Sequence, residues 1–198
     1  PFEFCLDITN WCDGVICDYN YVFDPNVRLK RYFADGAKGN HLFLIDEAHN
    51  LVSRAREMYS AALIKEDVLA AKRLIKDRNR KLTRAMDRVN KLLLEMKREC
   101  DGYGLLESVA PLAQVLAGMQ GELEEFLEEN PVFEDRESLL EFYFQVRDFL
   151  MVYELTDERY RMYSELREDG TVMVRLFCVN PAGNLSACLE QGRSAVFF

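Results

Sequence analysis

The chain has 198 residues, of which 49% are hydrophobic and 30% are charged, so it holds enough apolar material for one sizeable core or two small ones. This composition excludes a disordered chain. The 34 acidic and 25 basic side chains give a net charge of -9, which argues against a nucleic-acid binder whose whole surface is basic but allows a local basic surface. Because no run of about 18 apolar residues occurs, we expect no membrane-spanning helix.

The first 52 residues are expected to form α/β structure. A short helix near the N-terminus is followed by a predicted strand at residues 14–19 and by a second predicted strand at residues 41–45. Near-continuous apolar strands of this kind are typical of parallel sheets that are covered on both faces.

The middle of the chain is expected to be helical, because residues 40–101 contain neither Pro nor Gly. Hydrophobic residues recur there every seven positions, which predicts one helix of more than about 30 residues. They are Val68, Ile75, Leu82, Val89 and Met96. Two further helices, at residues 107–129 and after Asp135, are predicted to complete a bundle.

Strand patterns return after Thr156. Residues 159–167 and 171–178 predict a β-hairpin around the turn residues Glu168-Asp169-Gly170, followed by a short helix at 184–190 and a final apolar strand. An α/β beginning and an α/β end favour one sheet domain interrupted by a helical insertion over two tandem domains, which would have too few strands each.

One motif indicates a catalytic function. Residues 42–49 have the sequence Leu-Phe-Leu-Ile-Asp-Glu-Ala-His, an apolar strand that ends in two adjacent carboxylates. In nucleoside triphosphatases an aspartate at such a strand end orients Mg2+, and the next glutamate can polarise the water that attacks the γ-phosphate. The alternative is a buried strand before an ordinary helix, where Asp46 and Glu47 only favour the helix dipole.

The tetrapeptide Asp-Glu-Ala-His matches the DEAH form of helicase motif II. Residues 13–25, Asp-Gly-Val-Ile-Cys-Asp-Tyr-Asn-Tyr-Val-Phe-Asp-Pro, resemble the strand and turn that precede this motif in the XPD/DinG (Rad-type) family of superfamily 2 DNA helicases. Residues 176–181 and 192–198 resemble the stretch that leads into the Ser-Ala-Thr motif III of that family. The three segments occur in the family's order.

The resemblance implies a mainly α fold, in which a helical arch-type bundle with a β-hairpin is inserted into a partial RecA-like α/β motor domain. Residues 1–52 and 165–198 would belong to the first motor domain, and residues 53–164 would form the arch. It also implies an ATP-dependent 5'-3' DNA helicase that acts on single-stranded or forked DNA together with the remaining helicase domains of the same polypeptide. We therefore expect a cytoplasmic protein that acts on the DNA of a bacterial-type nucleoid.

By the same resemblance, Asp46 would help hold Mg2+, Glu47 would activate the attacking water, and His49 would couple the γ-phosphate state to neighbouring motifs. The sequence contains no G-x-x-x-x-G-K-[ST] loop to cradle the phosphates of ATP. Together with the unusual ends, Pro1 and Phe198, this indicates a fragment that is inactive alone. A complete small ATPase is disfavoured for the same reason.

The six cysteines are scattered, which disfavours a disulfide scaffold and predicts buried free thiols. The resemblance allows a 4Fe-4S cluster in the intact protein, but it places no cluster ligand in this chain. Cys5 lies close to the family's last cluster cysteine without matching its position.

Basic residues far outnumber acidic ones between Lys72 and Arg98, whereas acidic residues dominate from Glu122 to Glu141. One hypothesis is that part of the basic helix faces DNA, where the release of counterions favours contact with phosphates. The candidate residues are Lys76, Arg80, Lys81, Arg84, Arg88 and Lys91. The alternative is that the basic and acidic helices pair with each other or are solvated.

Tyr19 and Tyr21 can either stack on a base or belong to the core. A rival for the whole chain is a non-enzymatic helical interaction module with a coiled-coil arm. That hypothesis explains the heptads and the acidity, but it gives no reason for the Asp-Glu-Ala-His sequence at a strand end.

Overall fold

The structure is a computed structural model that describes residues 2–33 and 38–198. The chain is mainly α-helical and forms two compact units. The first consists of Pro1–Ala55 with Ala182–Phe198, and the second of Arg56–Pro181. Part of the loop at residues 36–39, which does not match a phosphate-binding motif, lies outside the described ranges.

The described ranges contain eight α-helices and six strands. In chain order they are α1 (Phe2–Ile8), α2 (Asn20–Phe23), β1 (Leu42–Ile45), α3 (Leu51–Met58), β2 (Ala61–Ile64), α4 (Lys65–Ile75), α5 (Arg80–Glu99), β3 (Tyr103–Leu106), α6 (Ala110–Glu129), α7 (Arg136–Glu154), β4 (Tyr160–Leu166), β5 (Val172–Cys178), α8 (Ala182–Leu189) and β6 (Ser194–Phe197).

The first unit is organised around two parallel strands, β1 and β6. Ile45 at the end of β1 lies opposite Phe197 of β6. Side chains alternate along β1, so that Phe43 and Ile45 are buried while Leu42 and Leu44 are exposed. The predicted strand at 41–45 and its parallel pairing are confirmed, but only one face of β1 is covered by the described residues.

The strand predicted at residues 14–19 is wrong. Residues 14–18 are neither helix nor strand, and the Ile16 side chain is fully exposed. A strand is stable only where a neighbouring strand takes up its backbone N–H and C=O groups. In the described part of the chain no strand lies beside this segment, so its apolar composition alone does not make it a strand.

The second unit contains a four-helix bundle. Helices α4, α5, α6 and α7 pack in a closed cycle, each against the next and α7 against α4. Every apolar residue predicted for the inner face of α7 is buried: Leu139, Phe142, Val146, Phe149 and Val152. The predicted bundle is therefore confirmed.

The single long helix predicted from the heptad pattern is wrong, because α4 ends at Ile75 and α5 begins at Arg80. Asn79 caps α5, with its side-chain oxygen accepting a hydrogen bond from the backbone N–H of Leu82 at 2.9 Å. The two helices then pack against each other. Ile75 and Leu82 are both fully buried, so the seven-residue pattern continues across a break in the helix.

An antiparallel sheet with the strand order β2-β5-β4-β3 packs on the bundle through α4, α5 and α7. The predicted hairpin is confirmed as β4 and β5, and Gly170 in its turn has a φ of 79°, which favours glycine. Strands β2 and β3 were not predicted, and α6 begins at Ala110 rather than at residue 107. Pro111 in the first turn of α6 fits the later start.

The boundaries of the two compact units can be compared with the predicted domains. The first falls between residues 55 and 56, close to the predicted division after residue 52. The second falls between residues 181 and 182, so both hairpin strands belong to the second unit, although the predicted division at 164/165 cuts through β4. The assignment of these units to a motor domain and an arch stays a prediction.

None of the helices in residues 2–33 and 38–198 combines the length and the apolar character needed to cross a membrane.

Candidate functional site

The sequence-predicted site is a turn, Asp46 and Glu47, which we call the acidic turn. It follows directly from β1, which ends at the buried residue Ile45. The backbone N–H of Phe198 donates to the carbonyl oxygen of Ile45 at 3.1 Å, and the N–H of Ala48 donates to the carbonyl oxygen of Phe198 at 3.0 Å. The end of β6 therefore holds both sides of the acidic turn.

Glu47 has a left-handed backbone conformation, with φ 50° and ψ 40°. Among the residues that the structure describes, it is the one non-glycine residue with a positive φ. This conformation costs roughly 1 to 2 kcal/mol for a residue with a Cβ atom, so neighbouring contacts must stabilise it. One such contact is local: the N–H of Glu47 donates to Oδ1 of Asp46 at 2.8 Å.

A second contact comes from Tyr19, immediately before α2. Its hydroxyl donates to the carbonyl oxygen of Asp46 and lies 3.0 Å from the carbonyl oxygen of Glu47. The guanidinium carbon of Arg54, on α3, lies 5.5 Å from the centre of the Tyr19 ring, within the range of a cation–π contact. Tyr19 is half-buried, whereas the Tyr21 ring stacks against Phe2 at 6.3 Å.

The structure brings the three sequence-predicted catalytic residues together. Nδ1 of His49 lies 3.3 Å from Oε2 of Glu47, and both side chains are largely exposed. Asp46 is also exposed, and only its Oδ1 atom takes a hydrogen bond from the described residues. A carboxylate with one unused oxygen fits Mg2+, which usually takes one or two protein carboxylates beside phosphate and water oxygens. ATP phosphates would have to be cradled by other residues.

The cysteines were predicted to be buried free thiols, and this is correct for half of them. Cys100, Cys178 and Cys188 are buried, whereas Cys5, Cys12 and Cys17 are exposed. Burial raises the pKa of the Cys178 thiol, which keeps it in the unreactive protonated form. Within the described ranges, no group of three or more His, Cys, Asp and Glu side chains is placed to hold a metal ion.

The basic residues predicted to contact DNA lie mainly on α5. Its buried side, which includes Leu82, Met86, Val89 and Leu93, packs into the bundle. The opposite side carries an exposed row of cations that we call the basic stripe. Its members are Arg80, Arg84, Arg88 and Lys91. Their spacing of four, four and three residues keeps them on one helix face over about 16 Å.

Two of the cations predicted to contact DNA, Lys81 and Lys91, form ion pairs with carboxylates. Lys81 reaches α6, where its Nζ lies 2.9 Å from Glu122 and 3.2 Å from Glu125. Hydrogen bonds to these two carboxylates raise the pKa of the Lys81 ammonium group. Lys91 lies 4.0 Å from Glu95 on its own helix. Of these two residues, Lys81 therefore pairs the basic helix with the acidic helix, whereas Lys91 pairs within its own helix.

The rest of the set is free of such pairing. In the described part of the chain, no carboxylate forms an ion pair with Lys76, Arg80, Arg84 or Arg88. Lys76 lies just beyond the end of α4 and is exposed. These four cations are thus available to a ligand.

Sequence reasoning missed two residues at the acidic turn. Tyr19 was considered only as a base-stacking or core residue, and Arg54 was not singled out. The local sequence around Tyr19 carries no signal for its hydroxyl contacts, because their acceptors lie 27 and 28 residues further along the chain.

Two carboxylates at the carboxyl end of a strand in a parallel pair, followed by a helix, form the arrangement that nucleoside triphosphatases use to hold Mg2+ and to orient water. Residues 1–68, about a third of the chain, match the family model DEAD_2. No curated protein matches the chain. The match supports a DEAD/DEAH-like helicase region that includes the acidic turn. It indicates a helicase-type function for the intact protein, with use of ATP and Mg2+ and with binding of nucleic acid.

Proposed function

We propose that this chain is part of an ATP-dependent 5'-3' DNA helicase of the XPD/DinG type. The observation that carries the proposal is the acidic turn at the end of β1, with His49 beside Glu47, within the region that matches the helicase family model. In this proposal, residues 1–52 and 165–198 are parts of the first motor domain and residues 53–164 form the arch. The intact protein is proposed to work in the cytoplasm, on single-stranded or forked DNA.

The chemistry at the acidic turn follows from its donor set. ATP would supply the γ-phosphate, and Mg2+ would make it more electrophilic. Asp46 would offer its unused carboxylate oxygen to the cation, and Glu47 would accept a hydrogen bond from the attacking water. His49, 3.3 Å from Glu47, would orient that carboxylate and couple the state of the γ-phosphate to neighbouring motifs. The phosphate-cradling loop and the 4Fe-4S cluster, where one is present, belong to other parts of the polypeptide.

The basic stripe supports the assignment of a DNA path. Single-stranded DNA binds to cationic grooves with little sequence preference, because each neutralised phosphate releases counterions. The basic stripe presents four exposed cations along one face of α5, and Lys76 adds an exposed cation just beyond the end of α4. Lys81 contributes to the bundle instead, through its contacts with Glu122 and Glu125.

The polarity of unwinding tests the proposal. We expect the intact polypeptide, with ATP and Mg2+, to separate a partial duplex that carries a 5' single-stranded tail and to leave the same duplex with a 3' tail intact. Strand separation is measured by the loss of fluorescence quenching between the two strands. Unwinding of the 3'-tailed duplex alone would contradict the proposed family type, and a protein that binds neither DNA nor ATP would favour the helical interaction module.

A further inference from the structure

Tyr19 contacts the acidic turn in a way that controls a single pair of backbone angles. Its hydroxyl reaches the carbonyl oxygens of both Asp46 and Glu47. These oxygens belong to the two peptide groups on either side of the Glu47 Cα atom. The relative orientation of those groups is set by φ and ψ of Glu47, which are 50° and 40°. One hydroxyl that reaches both oxygens therefore favours this left-handed conformation over others.

Tyr19 is itself fixed by the elements around it. Its carbonyl oxygen accepts hydrogen bonds from the N–H groups of Val22 at 3.0 Å and Phe23 at 2.8 Å, and Phe23 is 2% exposed. On the other side, the Arg54 guanidinium lies over the Tyr19 ring. Tyr19 thus joins the start of α2 to the acidic turn and to Arg54 of α3, and all of these residues lie within the first unit.

The direction of the Glu47 side chain depends on this arrangement. The Cα–Cβ bond of Glu47 turns with its backbone angles, so a change of a few tens of degrees moves the carboxylate by about 1 Å or more. Displacements of that size cost reaction rates up to about 100-fold when a group must meet a reacting atom. His49 contacts the same carboxylate but does not hold the backbone, because no hydrogen bond from its side chain to the acidic turn's carbonyl oxygens occurs among the described residues.

We propose that Tyr19 is a positioning residue, which holds the acidic turn in its left-handed conformation and so directs the Glu47 carboxylate toward the attacking water. This inference rests on the proposed function, because it assigns Glu47 the role of activating water. It adds a residue outside the Asp-Glu-Ala-His sequence to the hydrolytic site. It also replaces base stacking as the role of Tyr19, since its hydroxyl and ring both have protein partners.

The test is Tyr19→Phe in the intact polypeptide. This substitution removes the hydroxyl but keeps the ring and its contact with Arg54. We expect the turnover number of DNA-stimulated ATP hydrolysis to fall about 10-fold, with the KM for ATP changed by less than about 2-fold. The matched control is Tyr21→Phe, the same change two residues further along, and we expect it to hydrolyse ATP at the wild-type rate.

Amide hydrogen exchange gives a readout that does not depend on activity. We expect peptides that cover residues 43–51 to exchange at least about 5-fold faster in Tyr19→Phe, because the acidic turn opens more often. Peptides from β4 and β5 should exchange as in the wild type, and Tyr21→Phe should change neither region. Faster exchange over the whole first unit would instead show a general loss of stability and would overturn the proposal.

The outcomes separate this inference from the proposed function. If the wild type hydrolyses ATP, Glu47→Gln does not, and Tyr19→Phe keeps the wild-type turnover number, the positioning role is wrong while the proposed function stands. An equal loss of turnover in Tyr19→Phe and Tyr21→Phe would also overturn it. If the intact wild type lacks ATPase activity, the proposed function fails, and the positioning of a hydrolytic group fails with it.

Discussion

Replacing Glu47 by glutamine in the intact polypeptide is expected to lower the turnover number of ATP hydrolysis by at least about 100-fold, the usual contribution of a general base. Glutamine has nearly the same shape as glutamate, so the left-handed backbone and its contacts with Asp46 and Tyr19 should persist. A carboxamide cannot accept a proton from water at neutral pH. We therefore expect the affinity for ATP to stay within about 3-fold of the wild type, so that the variant binds nucleotide without hydrolysing it.

Phosphate release measures the turnover, and binding of a fluorescent ATP analogue measures the affinity. Glu3→Gln is the matched control, because Glu3 is an exposed carboxylate of the first unit whose ion pair with Arg31, at 3.8 Å, lies on the surface. It should hydrolyse ATP like the wild type. Wild-type turnover in Glu47→Gln would show that another group activates water, and the role assigned to the acidic turn would be wrong.

The second large effect is expected from reversing the charge of Arg80, Arg84 and Arg88 to glutamate. These three cations lie on the basic stripe and have no carboxylate partner in the residues that the structure describes. Losing three phosphate contacts should make the slope of log binding constant against log salt concentration less steep by about two for single-stranded DNA. At about 50 mM salt we expect the affinity to fall at least about 100-fold, since each substitution also adds repulsion.

Titration of a fluorescent oligothymidine at several salt concentrations gives both the affinity and the slope. The control on the same helix is Lys81→Glu. This substitution breaks the pairing with Glu122 and Glu125, so it should lower the melting temperature while changing DNA affinity by less than about 3-fold. An unchanged affinity of the triple variant at low salt would remove the basic stripe from the proposed DNA path.

Local sequence was sufficient where neighbouring residues determine the structure. The strand at 42–45 and the acidic turn follow from an apolar run that ends in two carboxylates. The hairpin follows from Glu168-Asp169-Gly170, because the turn needs a positive φ that Gly170 supplies. The buried face of α7 follows from helical periodicity alone.

The break between α4 and α5 shows what periodicity cannot resolve. Residues on the two helices keep a seven-residue spacing because both helices contribute buried residues, Ile75 and Leu82 among them, to the bundle. Asn79, a favourable N-cap residue, is a local signal for the break that the interpretation from the heptad pattern did not use. A heptad pattern therefore predicts the buried face more securely than it predicts one continuous helix.

Contacts between distant parts of the chain were not accessible from sequence. The segment at 14–18 has an apolar composition, but its conformation depends on whether a neighbouring strand lies beside it. The strands β2 and β3 pair with residues more than 50 positions away in the hairpin. In the same way, the hydroxyl of Tyr19 meets the acidic turn only after the first unit folds.

The most direct measurement of the central claim is the rate of phosphate release from ATP by the intact wild-type polypeptide, with and without single-stranded DNA, in the presence of Mg2+. The account predicts hydrolysis that increases when DNA is added and that is lost on removing Mg2+, because Asp46 and Glu47 act only on a metal-bound nucleotide. A polypeptide that binds DNA but releases no phosphate under these conditions would contradict the account.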